Sequence, residues 1–241
     1  MRILGFDTAT AATTVAVLDT DAGTALERRD DPPPGQRPRH TTRLMGLVVA
    51  VMDAAGVDWE DIDRIAVGVG PGTFTGLRIG VATARALARA RRIPLVGVST
   101  LHTLARGAVP AVGPDEDAVI AVIDARRGEV FVAGWPATDV RNAAARPLLG
   151  PLAVEPAALA DAMLELGRSW LAAGDGAVGF RTALERSGAR IPPEDSGSHR
   201  VSAVELCRLA AGRRPQAAEG VSPEYLRLPD AEISLRATRQ Q

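Results

Sequence analysis

The chain has 241 residues, 46% of them hydrophobic, and a formal net charge of -1. This composition provides for one large domain or two smaller domains with real cores, and it does not suit a disordered chain. The near-neutral charge excludes a global electrostatic attraction to nucleic acid or to anionic membranes. Any contact with RNA must therefore be local or made through a partner.

The basic residues and the single cysteine exclude several kinds of chemistry. All 28 basic residues are arginine, which rules out a lysine-dependent phosphate loop and Schiff-base catalysis by this chain alone. Cys207 cannot form a disulfide framework, and its position beside Val204 on a predicted helix favours a buried small hydrophobe. The three histidines, His40, His102 and His199, are scattered, so no metal site is predicted.

No targeting or membrane segment is predicted. The apolar start at residues 3–6 is interrupted by Asp7, which is too short for a signal peptide. No apolar run reaches the roughly 18 residues that a membrane span needs. We therefore expect a cytoplasmic protein.

The amino-terminal third alternates short strands with polar turns. Residues 2–6, 13–18 and 24–28 are predicted strands, and Asp7 and Thr8 follow the first of them. Such a turn can hold a phosphate through a metal or water, or its Asp and Thr can satisfy their own backbone. The pattern by itself leaves both interpretations open.

A predicted helix at residues 40–55 is apolar on almost every side. A helix of this kind is buried on more than one face. This indicates either a partner surface or a central helix covered by the chain's own second layer. The candidate contact residues are His40, Leu44, Leu47, Val48 and Val51.

A glycine-rich turn at residues 70–78 follows a predicted strand at 65–69. Behind it, Gly76, Gly80, Ala84 and Ala88 recur at every fourth position, which would let a second helix approach at backbone distance. We interpret the segment as a tight strand-to-helix turn that prepares a helix interface, with ligand contact secondary. Four arginines share one predicted helix face, which is a solvated surface or a contact for protein or RNA: Arg78, Arg85, Arg89 and Arg92.

The order of elements predicts the fold class, α/β with two ribonuclease-H-like lobes. A strand at 93–99 completes a β-β-β-α-β-α-β order, typical of three antiparallel strands continued by parallel ones. Asp124 echoes Asp7, because it too follows an apolar strand (118–123) and precedes a second one (130–135). We predict lobes at residues 1–103 and 104–212 and an irregular tail at 213–241. The helix at 201–211 is a candidate to pack back on the first lobe.

Six segments, in order along the chain, resemble the TsaB family. They are residues 1–10, the His40-x-x-x-Leu44 helix opening, residues 70–78, 97–101 and 124–130, and the late Pro223-x-Tyr225-Leu226-Arg227. Members of this family are accessory subunits of the bacterial machinery that makes threonylcarbamoyladenosine in tRNA, beside the anticodon.

The resemblance implies an actin-like ASKHA pair of lobes and a non-catalytic scaffold role. The implied partners are a TsaD-like transferase in a heterodimer, a TsaE-like ATPase, and tRNA only through the complex, with no membrane. The family's first-lobe helices pack on the partner, which adds Gly76, Arg78, Gly80 and Ala84 to the candidate contacts. In TsaD a His-x-x-x-His pair follows the strand equivalent to residues 95–99, whereas this chain offers His102 alone, so no catalytic or protease residue is expected.

The resemblance also implies a degenerate nucleotide site. Asp7 and Thr8 would form a first phosphate loop, Asp124, Arg126 and Gly128 a second, and Gly174 and Gly176 the adenosine contact. No cofactor is expected in the isolated chain, and ATP only in the complex. The alternatives are an independent ASKHA ATPase or phosphotransferase, and a homodimeric regulator.

Overall fold

The first lobe is a five-stranded mixed sheet covered by helices. The computed structural model describes residues 1–33 and 35–227. The elements of this lobe are β1 (Arg2–Asp7), β2 (Thr13–Asp19), β3 (Thr24–Asp30), α1 (His40–Ala55), β4 (Arg64–Gly70), α2 (Phe74–Arg91) and β5 (Leu95–Ser99). The strand order is β3-β2-β1-β4-β5, with the first three strands antiparallel and β4 and β5 parallel to β1. The predicted ribonuclease-H-like order is confirmed.

The second lobe repeats this topology with four strands. Its elements are α3 (Thr100–Ala108), β6 (Ala118–Arg126), β7 (Glu129–Pro136), β8 (Leu149–Val154), α4 (Pro156–Glu165), β9 (Trp170–Ala173), α5 (Asp175–Gly179) and α6 (Arg181–Glu185). The order β8-β7-β6-β9 matches the order of the first four strands in the other lobe, so the predicted relation between the halves is confirmed. The two short helices α5 and α6 are separated at Phe180, whose φ of -115° leaves the helical range.

The last helix, α7 (Ala203–Ala211), packs on the sheet of the first lobe. Leu206 and Cys207 join a buried cluster with Ile3 and Ala16, and the Cys207 Sγ lies 3.6 Å from the Ile3 carbonyl oxygen. Burial raises the pKa of the Cys207 thiol, which makes it a poor nucleophile. Among the described residues, no helix is long and apolar enough to cross a membrane.

The structure corrects the predicted contact surface of α1. Leu44, Leu47, Val48 and Val51 are buried in the core of the first lobe. His40 is also buried, and its Nδ1 lies 2.8 Å from the Thr13 hydroxyl. These side chains cannot reach a partner, because they already pack against the chain's own sheet. Of the two interpretations left open, the central-helix one fits these residues.

The small-residue row of α2 is likewise internal. A side chain at Gly76 would collide with the Thr8 carbonyl oxygen, and one at Gly80 with the Thr8 hydroxyl. Ala84 is completely buried in the first-lobe core. The close approach predicted from the glycines is therefore real, but it serves the turn after β1 rather than a second helix. Arg78 alone of the predicted α2 contacts is exposed.

The preceding turn is tight, as predicted. Gly70 has a φ of 113°, a value that favours glycine. The Thr73 amide donates a 2.7 Å hydrogen bond to the Ala9 carbonyl, which fixes the start of α2 against the β1–β2 turn. After α7, residues 213–227 are irregular apart from the short turn Ala218–Gly220, and residues 228–241 of the predicted tail lie outside the described residues.

The internal position of Ala84 predicts a loss of stability on Ala84→Arg. The substitution forces a charged side chain into a closed core, which should lower the free energy of unfolding by about 3 to 5 kcal/mol. Ala82→Arg is the matched control, because Ala82 lies on the exposed side of the same helix. Urea unfolding of both variants makes the measurement. Equal midpoints for the two would contradict the assigned helix orientation.

Candidate functional site

Two cavities lie where the lobes meet. The first has a volume of about 210 Å³ and is lined by residues 71–74, 124–126 and 224–227 together with Phe131. The second has a volume of about 170 Å³ and is lined in part by residues 10–12, Asp175 and His199. The first lobe, the β6–β7 hairpin and the tail therefore share the first cavity. Neither Asp7 nor Thr8 lines either one.

Asp7 is enclosed between the first-lobe sheet and the start of α3. One carboxylate oxygen accepts a 2.7 Å hydrogen bond from the Ala9 amide, and the other a 2.8 Å hydrogen bond from the Thr100 hydroxyl. A side chain at Gly68 would collide with this carboxylate, which shows how closely β4 passes. Burial raises the pKa of the Asp7 carboxyl, against the lowering effect of its two hydrogen bonds. Of the two interpretations left open by the sequence, the structure fits the one in which Asp7 accepts a hydrogen bond from the backbone of its own turn.

Thr8 is held in the same way. Its side chain is buried, and its hydroxyl donates a 2.8 Å hydrogen bond to the Gly76 carbonyl of α2. The first phosphate loop implied by the resemblance is therefore corrected at both positions. The Asp7 carboxylate is bonded to its own turn and to α3, and the Thr8 hydroxyl is bonded to α2, so neither side chain faces a ligand in this conformation.

The β6–β7 hairpin reaches the first cavity with Asp124 and Arg126. Asp124 accepts a 2.7 Å hydrogen bond from the Arg126 amide and forms a 3.2 Å ion pair with its guanidinium. The Arg126 side chain is 73% exposed, so it faces the cavity as a cation partly neutralised by its neighbour. Arg127 and Gly128 have φ values of 56° and 81°, the geometry of a tight hairpin turn. Gly128 therefore serves the turn.

Residues 174–176 pack on the second sheet rather than opening toward a ligand. Side chains at Gly174 and Gly176 would collide with the backbone of β6, so the two glycines allow α5 to approach that strand. Between them, Asp175 accepts hydrogen bonds from the amides of Asp124 (3.1 Å) and Gly176 (2.9 Å). Surrounding protein raises the pKa of the Asp175 carboxyl, although its side chain still touches solvent. Asp175 thus connects the segment at residues 174–176 to the segment that contains Asp124 through hydrogen bonds.

The arginines of α2 hold the tail. The Arg78 guanidinium lies over the Phe74 ring at 3.7 Å and donates to the Tyr225 hydroxyl at 3.3 Å. Arg85 donates to the carbonyls of Val221 (2.7 Å) and Glu219 (2.9 Å). Tyr225 and its neighbours in the tail were not predicted as site residues. The available signal was the Pro223-x-Tyr225-Leu226-Arg227 motif, which is one of the six segments that carry the family resemblance.

His102 faces the core of the second lobe. Its ring stacks on Trp135 with centroids 4.8 Å apart, and its Nε2 donates a 2.8 Å hydrogen bond to the Val140 carbonyl. Burial lowers the pKa of His102 to about 4, so the ring is neutral at physiological pH. No group of three or more potential metal-ligating side chains occurs within the part of the chain that the structure describes.

His102 should make the protein sensitive to mild acid. As the pH falls from the ordinary histidine pKa of 6.5 toward about 4, the unfolded chain binds this proton before the folded one does. The stability that His102 contributes is therefore complete above pH 6.5 and lost on acidification, by up to about 3 kcal/mol. His102→Gln keeps a donor toward Val140 and should flatten this part of the profile. Urea unfolding of the wild type and of His102→Gln between pH 4 and 6.5 makes the measurement. If the free energy of unfolding depends equally on pH in both proteins, His102 is not the source of the acid sensitivity.

Asp7→Asn separates a structural Asp7 from a phosphate-binding one. The amide can accept from Ala9 and donate to the Thr100 oxygen, and it removes a buried charge. The pKa of the Asp7 carboxyl is raised in the folded state, so the free energy of unfolding of the wild type falls as the pH rises above 3.8. The free energy of unfolding of Asp7→Asn should not fall in this way over the same range. Thermal unfolding at neutral pH should give a midpoint at or above that of the wild type. Asp7→Ala, which leaves both donors unpartnered, should lose about 1 to 3 kcal/mol.

Comparisons with known proteins match this chain to a transferase family model and to TsaB proteins. A family model described as "TsaD: tRNA N6-adenosine threonylcarbamoyltransferase" matches residues 33–180. The tRNA threonylcarbamoyladenosine biosynthesis protein TsaB of Escherichia coli (strain K12) is 33% identical, covering 94% of this chain and 95% of that protein. The protein of the same description in Bacillus subtilis (strain 168) is 29% identical, covering 96% of each chain.

Solved structures support the same assignment. The structure of YeaZ from Pseudomonas aeruginosa has a TM-score of 0.75 and 31% identity, covering 93% of this chain and 99% of that one. Another Pseudomonas aeruginosa structure, described as an uncharacterized protein with similarity to peptidase YEAZ, has the same TM-score and 30% identity, covering 94% and 99%. From sequence identity over nearly its whole length and from its two-lobed architecture, this chain belongs to the TsaB family.

Proposed function

We propose that this chain acts in the biosynthesis of threonylcarbamoyladenosine in tRNA as a non-catalytic scaffold subunit. It binds a TsaD-like transferase as a heterodimer, associates with a TsaE-like ATPase, and meets tRNA through the complex. The observation that carries the proposal is the 33% identity to a biosynthesis protein of that pathway over 94% of this chain. The match of residues 33–180 to the transferase model supports a partner built on a related fold.

The docking surface is the outer side of α1 and α2, not the side chains expected from the sequence. These two helices contact each other and cover the same face of the first sheet. Met45 and Val49 on the outer side of α1 are 42% and 53% exposed. The surface, here named the outer helix face, comprises Met45, Gly46, Val49, Ala82 and Ala86.

The size and chemistry of the outer helix face suit a protein partner. Burial of a Met or Val side chain contributes about 1.5 to 3 kcal/mol, and the small residues between them let a partner helix approach closely. The association cost of roughly 4 to 15 kcal/mol requires further contacts around this centre. Arg78, at the edge of α2, is exposed and offers a polar one.

The placement of the reactive groups supports a scaffold rather than a peptidase or an independent ATPase. Cys207 is buried with a raised thiol pKa, and His102 is neutral within the core. Arg126, which faces the first cavity, is paired with Asp124 instead of being free for a phosphate. Any dependence on ATP then belongs to the complex.

Val49→Glu should weaken association with the transferase while leaving the fold intact. A carboxylate on the outer helix face would be desolvated in the complex, and we expect at least tenfold weaker binding. Leu164→Glu is the matched control, because Leu164 is a similarly exposed apolar residue on α4 of the other lobe. Size-exclusion chromatography with a purified TsaD-like protein measures association, and threonylcarbamoyl transfer to tRNA measures function.

The same experiment distinguishes the surface from the function. If Val49→Glu co-elutes as the wild type does, the docking surface lies elsewhere. If the wild-type chain neither binds the transferase nor stimulates transfer, the scaffold role itself is wrong. A homodimer of the isolated chain would appear as an earlier elution that Val49→Glu shifts to the monomer.

A further inference from the structure

The tail forms a continuous connection from the first lobe to the second. After α7 it runs along the outer strand of the first sheet, where the Gln216 amide donates a 2.8 Å hydrogen bond to the Leu95 carbonyl. Val221 is then almost fully buried in the first-lobe core. The Glu224 amide donates a 2.7 Å hydrogen bond to the Val69 carbonyl at the end of β4. Up to Glu224, the tail is part of the first lobe.

The next three residues cross to the second lobe. The Tyr225 ring lies against Phe74 at the start of α2, with ring centroids 5.3 Å apart. Leu226 packs against the core of the second lobe, whose buried cluster includes Phe131. Arg227 forms a 2.7 Å ion pair with Glu129 in the β6–β7 hairpin. Within these three residues the contacts of the chain change from the first lobe to the second.

This crossing lies directly over the first inter-lobe cavity. Residues 224–227 form one wall of the cavity, and residues 71–74 and 124–126 line it from the two lobes. A change in the angle between the lobes would alter the spacing between Glu224 and Arg227, which are anchored to different lobes. Because these two anchors are only three peptide units apart, a large change in their spacing would pull one of them away from its lobe.

We propose that residues 221–227 are a strap that fixes the angle between the lobes and closes the first cavity on one side. Its anchors on the first lobe are the buried Val221 and the backbone hydrogen bonds of Arg85 and Glu224. Its anchors on the second lobe are the apolar contact of Leu226 and the ion pair of Arg227. The anchors on the second lobe are the weaker ones, because the ion pair between Arg227 and Glu129 is partly exposed. The strap therefore opens at its second-lobe end.

A charge reversal at the second-lobe end tests the strap. Arg227→Glu places like charges together at Glu129 and should release residues 225–227. We expect exchange of the Glu224 amide, which is hydrogen-bonded to the Val69 carbonyl next to the released residues, to become about tenfold faster, since one charge-assisted contact is replaced by repulsion. The double variant Arg227→Glu with Glu129→Arg should restore slow exchange. Arg214→Glu, the same charge change at an exposed position in the same tail, is the matched control.

The angle between the lobes is measured by spin labels in the full chain. Glu60→Cys and Asp161→Cys place labels on exposed positions of the first and second lobes, and the buried Cys207 stays unlabelled. Arg227→Glu should broaden the distance distribution between the labels, and the double charge reversal should narrow it again. Leu226→Ala, which weakens the apolar anchor alone, should broaden it to a smaller extent.

Two results would overturn the strap. One is a folded Arg227→Glu variant with amide exchange and label distances equal to those of Arg214→Glu. The other is an altered Arg227→Glu variant that the double charge reversal fails to restore, because the ion pair would then not be the anchor. Circular dichroism establishes that each variant is folded before either result is scored.

Discussion

The first lobe depends on how closely α2 approaches the turn that follows β1. Thr8 donates to the carbonyl of Gly76, and Thr73 donates to the carbonyl of Ala9, so two hydrogen bonds join this turn to the start of the helix. The positions facing the turn are glycines because any side chain there would collide with it. Since each contact needs the others in place, the turn, β4 and α2 form one rigid unit.

This packing makes the two lobes unequal although their topologies match. Asp7 and Asp124 occupy corresponding places, at the end of the first strand of each sheet. Asp7 is sealed beneath Gly68 and Thr100, whereas the Asp124 side chain retains 29% exposure and lines a cavity. Asp124 of the second-lobe hairpin therefore lines the first inter-lobe cavity, whereas Asp7 lines neither cavity.

The tail and α7 show that the chain order and the lobes do not coincide. After the second sheet is complete, α7 returns to cover the first sheet, and the tail then fastens onto α2 through Arg78 and Arg85. The four arginines that the sequence predicts on one face of α2 therefore have different roles. Arg78 and Arg85 hold the tail through hydrogen bonds, Arg89 forms an exposed 3.8 Å ion pair with Glu219 of the tail, and Arg92 ends the helix with a φ of 56°. Met45 and Val49 on the outer side of α1 remain exposed.

The sequence by itself determined the strands, most helices, the repeated topology and the family, because these follow from local apolar periodicity, glycine spacing and ordered motifs. It also located a close backbone contact at Gly76 and Gly80. Only the tertiary structure decided what makes that contact, because small residues specify that something approaches but not whether it belongs to the same chain.

The same limit applies to α1 and to the predicted nucleotide site. Apolar residues at Leu44 and Val48 look alike whether they face a sheet or a partner, and only the position of the sheet separates them from the exposed Met45 and Val49. An aspartate after a strand offers the same atoms to a ligand or to its own turn. For Asp7, the hydrogen bonds from the Ala9 amide and from the distant Thr100 hydroxyl show that both carboxylate oxygens are used within the protein. Burial and hydrogen-bond partners depend on residues far apart in the chain, which local sequence patterns do not encode.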